Sequence, residues 1–342
     1  AMVKENAIAF VETVKNMDNM LANFRKSKDK EIIENVDRIN EIAKEFAALN
    51  LDIKKIEAHG VTANDLRDRR NLLIDELSGL AKIQVMEGDS VNISLEGRML
   101  VEGSSYELIK TVPDTTNNGF VRLVWKSDNG SLEISGGSIY SNFESRDVLV
   151  KGFRDRLNEF VMGVANEVNA IHITGYGISD DIQRPFFVNS SDNSASGISL
   201  STIAFNPQLE NYDRIAAAED AYSNEDNRVA LKIAALRNND YFTEDGYTTA
   251  AADRKYNFDE FFRNMISDLG NIGQEAATAA DAQKLLLDQI DFRRQALSAV
   301  SLDEEMTNLI KYEHSYNAAA RIVNVIDEMI EMIVNRTGLV GR

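Results

Sequence analysis

Apolar residues spaced alternately four and three apart run along both ends of this chain, a rhythm that admits little besides long helices packed side by side. Near the start, Val3, Ala7, Phe10, Val14, Met17, Leu21 and Phe24 keep the count without a miss. The polar segment FRKSKDK then interrupts it, so a break between two helices is expected there. Ile32, Val36, Ile39, Ala43, Phe46 and Ile53 resume the pattern, with Asn50 at the seam position between the last two. A buried Asn at such a position fixes helix register more often than it does chemistry. Farther on, Phe258, Phe262, Met265, Leu269, Ile272, Ala276 and Ala279 lead to Leu286, Ile290 and Leu297 on the same count, a helix returning along the first two. Three prolines in 342 residues leave such helices uninterrupted.

The last stretch, SLDEEMTNLIKYEHSYNAAARIVNVIDEMIEMIVNRTG from Ser301 to Gly338, organises the rest. Ser301 and Glu304 form a capping box, each satisfying an orphan amide of the first turn. Arg336 complements the carbonyl end and Gly338 supplies the left-handed stop. Ala319, Ile322, Ile326, Met329 and Ile333 follow at spacings of three and four, with Val323 and Ile330 beside them. One side of this helix is therefore a seam that needs a partner helix.

Between the helical ends the period changes. His59-Gly60 closes the second helix, and Thr62 to Asp65 reads as the cap of a third, with Leu66, Leu73, Leu77 and Leu80 inward. Arg67, Arg69 and Arg70 read as a solvated face paired to Asp68 and its neighbours. From Lys82 the apolar period is two: Ile83 to Val85, Val91 to Leu95, Met99 to Val101 and Tyr106 to Ile109 are short strands separated by Glu-Gly pairs. Phe120 to Trp125 and Ser131 to Ile134 flank Asp128-Asn129-Gly130, a strong hairpin signal. Helical period returns at Val150, Phe153, Leu157, Phe160, Val164, Val168 and Ile171.

Residues 178–255 are the least periodic and read as an inserted, partly β domain projecting outward. The expected class is α+β: a coiled-coil-like bundle of long helices from both ends, with antiparallel β-rich insertions. Its parts are a helical bundle at 1–81, a β-rich module at 82–145, a bundle helix at 146–177, the outer domain at 178–255, a bundle helix at 256–299 and an axial helix at 300–342.

Composition narrows the function. With 55 Asp plus Glu against 37 Lys plus Arg, the net charge of −18 opposes binding to duplex nucleic acid. No run of eighteen apolar residues offers a membrane span, and no signal peptide is visible. The absence of cysteine excludes disulfides and thiolate metal sites. Gly175-Tyr176-Gly177 follows a helix and lacks a third glycine, so it is no dinucleotide fingerprint. His59, His172 and His314 lie in different segments, and His172 reads as a polar contact at a helix end rather than a metal ligand. The acidic run from Glu219 to Asp226 lacks the turn glycine of a calcium loop. No catalytic, cofactor-binding or metal residue is nominated, and no cofactor is expected.

Several segments resemble a known family. Leu302 to Met306, Leu309-Ile310, Tyr312, Tyr316, Ala318 to Arg321 and Asp327 to Met329 resemble the C-terminal segment of the flagellar rod, hook and hook-associated family. Ala299-Val300-Ser301 stands there in place of the usual Gly-Val-Asn, and Glu313-His314 in place of the Gln. DLRDRRNLLIDELS is similar to a hook-associated pattern, with Asn71 for its second Asp. ISGGSIYSNFESRD, then Val168-Asn169, His172 and Gly175, then Pro185-Phe186-Phe187, resemble a stretch of the same members in which a helix ends V-N-x-x-H-x-x-G and a loop leads to F-F.

The resemblance implies a secreted structural subunit of the extracellular bacterial flagellum, exported unfolded through the type III apparatus, that forms the hook-filament junction by ring or helical self-packing. Implied partners are copies of itself, hook protein, the second junction protein and an export chaperone, with no nucleic acid and no membrane. Leu309, Ala319, Ile322, Ile326, Met329 and Ile333 are the implied interface for axial packing and the chaperone. It implies too that the family's leading helix precedes Ala1, so that the helix from Ser301 lacks its partner and either frays or pairs with another copy. The alternatives are another flagellar axial protein, such as a hook, distal-rod or filament subunit, and a generic coiled-coil scaffold or adhesin.

Overall fold

A computed structural model of the chain describes residues 2–223, 225–298 and 302–336. It divides into two units, Ala1–Leu269 and Gly270–Arg342.

The spine of the first unit is one continuous helix, α1 (Met2–Glu57). The break expected at FRKSKDK is absent. That segment holds neither Gly nor Pro, its Lys and Arg are good helix formers, and Arg25 turns inward to be 3% exposed. A short turn leads to α2 (Asn64–Leu80), which runs back along α1 and buries Leu73 and Leu77. The cap expected from Thr62 to Asp65 does not form, because Ala63 is the N-cap and offers no side chain. Glu57 from α1 serves instead, accepting from the Ala63 amide at 3.3 Å and from Arg67 at 2.7 and 2.8 Å. The other arginines likewise pair across the helices rather than with Asp68: Arg69 with Glu45, Arg70 with Asn50, and Arg38 of α1 with Glu76. Where such pairs are exposed they align the helices but contribute at most about 1 kcal/mol each.

Seven short strands follow. β1 (Ile83–Met86), β2 (Asn92–Leu95), β3 (Arg98–Glu102) and β4 (Ser105–Tyr106) form an antiparallel sheet in sequence order. β5 (Ile109–Pro113), β6 (Val121–Trp125) and β7 (Ser131–Leu132) form a second. Asn129 takes φ +57° in the predicted turn, and the Gly130 amide donates to Asp128 at 2.8 Å. Both sheets share a core with the C-terminal half of α1 and with α2: Ile93, Leu95, Leu100, Leu123 and Trp125 meet Ile39, Ile42, Phe46, Leu73 and Leu77. Asn50 is buried as expected, but it sets sheet against helix, donating to the carbonyls of Val91 and Gly103 at 2.8 Å. Asn40 does the same at β5, bonding both the amide and the carbonyl of Ile109.

The chain then runs helically from α3 (Gly137–Glu144) through a π turn at Ser145–Leu149 into α4 (Val150–His172). Gly137 is obligatory at the entry: its φ is +79°, and a Cβ would lie 2.5 Å from the backbone of Leu80 and Ala81. A second core forms where Ala7, Val11 and Val14 of α1 meet Leu157, Val161 and Ala165 of α4. The hairpin of β8 (Phe187–Asn189) and β9 (Ile203–Phe205) closes that core with Phe186, Ile198, Leu200 and Leu209. A third cluster gathers Leu236, Tyr241, Phe242 and Phe261 beyond α5 (Arg228–Ala235), with the rings of Phe242 and Phe261 stacked at 4.3 Å.

The helix α6 (Phe258–Ser298) begins in this cluster and continues past the unit boundary. In the second unit it is followed by α7 (Leu302–Arg336). Every side chain described from Gly270 to Ala296 and from Asp303 to Glu331 is exposed. Among the described residues no helix is long and apolar enough to cross a membrane.

Candidate functional site

The predicted interface residues all belong to α7. At 100° per residue, Ala319, Ile322, Ile326 and Met329 fall within an arc of about 80°, and Leu309 sits about 80° ahead of Ala319. All are bare: Leu309 is 64% exposed, Ile322 61%, Ile326 50% and Met329 56%. Ile333 lies in the helix, but its side chain falls outside the described residues, as do the capping residues Ser301 and Gly338. Val323, Ile330, Tyr312 and Tyr316 widen the apolar surface, each more than half exposed. The preceding helix shows the same character, with Leu286, Ile290 and Phe292 between 54 and 73% exposed. Such a surface can pack against other helices.

The motif at the end of α4 acts as a clamp on its own fold. The Asn169 side chain donates to the Phe187 carbonyl and accepts from the amides of Phe186 and Phe187, all at 2.8 Å. One turn on, His172 is fully buried. It uses both ring nitrogens: Nδ1–H donates to the Arg184 carbonyl at 2.7 Å, and Nε2 accepts from the Ala216 amide at 3.0 Å. Burial pushes the imidazole below its usual pKa, so the ring is neutral. With no free lone pair and no carboxylate against it, His172 is unfit as a base or a ligand. Sequence placed Val168-Asn169, His172 and Phe186-Phe187 in one motif; the structure shows that the first part grips the last.

The remaining suspects are structural as well. Gly175 and Gly177 are sites of close approach, where a Cβ would lie 2.7 Å from Val229 Cγ2 and 2.7 Å from Arg214 Cα. The acidic run ending at Asp226 is neutralised by Arg228, which pairs with Glu219, Asp220 and Asp226. Asp226 also accepts from the amides of Glu219 and Arg228, and with Arg228 as the largest cause its carboxyl is held far below the usual range. His59 caps the Lys55 carbonyl, and His314 is exposed on α7. Among the described residues there is no group of three or more His, Cys, Asp or Glu able to hold a metal ion.

Comparison with known families places the chain. Residues 1–187, more than half of the chain, match the model of the flagellar hook-associated protein FlgK helical domain. The chain belongs to the FlgK family of flagellar hook-associated proteins. It is thus a structural subunit of the bacterial flagellum. Residues 294–336, which contain α7, match a second family model, the C-terminal segment of flagellar basal body rod FlgEFG proteins. Flagellar hook-associated protein 1 of Bacillus subtilis (strain 168) is 27% identical over 374 aligned residues, which span 100% of this chain and 72% of that protein. The Escherichia coli (strain K12) protein of the same name is 23% identical over 95% of this chain and 74% of its own length. Among solved structures, the flagellar hook junction protein FlgK from Burkholderia pseudomallei superposes with a TM-score of 0.51 at 22% identity. That match covers 54% of this chain and 35% of that structure, and it supports the α+β fold.

Proposed function

We propose that this FlgK-family chain serves at the hook-filament junction, outside the cell, as a subunit whose activity is packing. The observation that carries this reading is the bare apolar face of α7, on which Leu309, Ile322, Ile326 and Met329 are half or more exposed. Burying four such side chains yields roughly 6–12 kcal/mol at about 1.5–3 each. Association costs on the order of 4–15 kcal/mol in lost freedom and ordering, so one pairwise contact is marginal. A ring or helical layer, in which each α7 meets several neighbours at once, recovers the deficit. The natural neighbours are copies of this chain, with hook protein below and the second junction protein above.

The same face requires protection before assembly, because an exposed apolar stripe associates indiscriminately. An export chaperone bound to Ala319, Ile322, Ile326, Met329 and Ile333 supplies it, and the face is used twice, first by the chaperone and then by the axial neighbours. Rod, hook and filament subunits are the nearest rival reading, and the match of residues 1–187 to the hook-associated helical domain favours the junction member.

Deletion of the gene in its host tests the assignment. The expected phenotype is hooks without filaments, with monomeric flagellin shed to the medium and rescue by the whole gene. Normal filaments on the deletion strain would exclude the junction role.

A further inference from the structure

The first unit holds its two largest cores apart with a polar belt. On α1 the buried residues of one core end at Val14 and those of the other begin at Ile32; the buried residues between them are Asp18 and Arg25. The belt's partners come from the π turn, the start of α4 and the segment joining β5 to β6. Asp18 pairs with Arg154. Arg25 Nε donates to the Arg146 carbonyl at 2.8 Å, and its NH2 reaches Asn117 Oδ1 at 3.0 Å. Arg146, 2% exposed, donates to Asp29 at 2.5 Å and grips Asp147 at 2.9 and 2.6 Å. Asp29 also accepts from the Val121 amide, and the Phe120 ring lies under both guanidinium groups at 4.5 and 5.2 Å. Four charges from two segments, α1 and the π turn, thus close on one another, with Asn117 and Phe120 of the loop between β5 and β6 against them.

The helical run beside α1 carries its π turn, Ser145–Leu149, at this level. A π turn is a local departure from the α-helical hydrogen-bond ladder, and helices kink where one occurs. Because burial strips water from both partners, ion pairs of this kind add less net stability than apolar packing of the same volume. A belt of ion pairs and a π turn thus lie at one level between the two cores, a level that α1 crosses as an unbroken helix.

We propose that the Arg25–Asp29–Arg146–Asp147 cluster and the π turn Ser145–Leu149 form a joint at which the β-bearing core and the α1–α4 core change their mutual angle while each stays folded. For a subunit in a layer, such a joint lets one half follow its neighbours while the other keeps its own contacts.

Native-state hydrogen exchange on the full chain, with distances measured between spin labels, tests this. The chain has no cysteine of its own, so the replacements Lys110→Cys on β5 and Ala170→Cys on α4 label it uniquely, both sites being exposed. The amides of 145–149 and 117–121 are expected to exchange about a hundredfold faster than those of Ile39 to Phe46 and Leu157 to Ala165. Asp147→Asn, which removes one charge and keeps the shape, is expected to broaden the label distance while both cores keep their protection. Exchange of joint and cores in one cooperative step would overturn the proposal. So would a single sharp distance unaltered by Asp147→Asn, or loss of both cores together in that variant.

Discussion

Asn169→Ala removes three hydrogen bonds from one buried point and tests whether the end of α4 grips the Phe186-Phe187 segment. The Asn169 amide group, 7% exposed, serves two N–H donors and one carbonyl of that segment. Alanine leaves all three backbone groups without a partner, at about 1–3 kcal/mol apiece. With partial relaxation the expected cost is about 3–5 kcal/mol, a large part of the roughly 5–15 kcal/mol by which domains are stable. Phe186 and Phe187 are held at 4.9 Å from each other, and Phe187 packs at 6.0 Å on Phe10 of α1, so the loss spreads into the second core. The assay is native-state hydrogen exchange at residue level. Protection of the Phe186 and Phe187 amides is expected to fall at least a hundredfold, about 3 kcal/mol, while that of Ile93 and Leu95 in the other core stays as it was. A loss below about 1 kcal/mol at those amides would refute the clamp, because three buried bonding groups left without a partner cost more than that.

His172 makes stability depend on pH. Its folded pKa lies below the ordinary 6.5, so the unfolded chain binds the proton more readily and the stability it confers is lost as pH falls below about 6.5. Urea midpoints measured on either side of that value should drop toward acid more steeply for the parent chain than for His172→Gln; equal slopes would contradict the neutral buried ring. Gly177→Ala drives a methyl against the Asp213 carbonyl and the Arg214 Cα. It should cost about 1–3 kcal/mol by overpacking, read as a lowered midpoint, and an unchanged midpoint would count against the close approach. A chain ending at Ala299, compared by circular dichroism with the full chain, tests whether α7 is stable alone. The helical signal lost should be less than that of the 35 residues of α7 at low concentration and should grow with concentration. Loss of the full complement at every dilution would show that the helix needs no partner.

The long helices and both hairpin-rich sheets were legible because their periods are local properties of the chain. The charged belt was not. Arg25 and Asp29 stand in a lysine-rich stretch that looks solvated, and their partners Arg146 and Asp147 lie more than a hundred residues away. Charge at a seam position therefore read as a helix break, when it marks where one core gives way to another. Residues 178–255 gave no period for a related reason. Much of their backbone is satisfied by side chains rather than by ladders, as at Asn189, Asn206 and Asp226. Their apolar residues divide between two clusters, Phe187 and Leu200 in one and Tyr241 and Phe242 in the other. The motif V-N-x-x-H with F-F could be seen, but its meaning required the loop to fold back. The stripe on α7 was the opposite case: its spacing is local and its described side chains are exposed, and its use as an interface is our proposal.

That stripe carries the central claim, and the double replacement Ile326→Asp and Met329→Asp in the whole gene tests it most directly. Neither side chain is buried, so the unit Ala1–Leu269 should keep its melting transition and its near-ultraviolet spectrum. Cells carrying the change should build hooks that end bare, and the purified variant should fail to associate with itself. Normal filaments on those cells, with the variant present at the junction, would contradict the account.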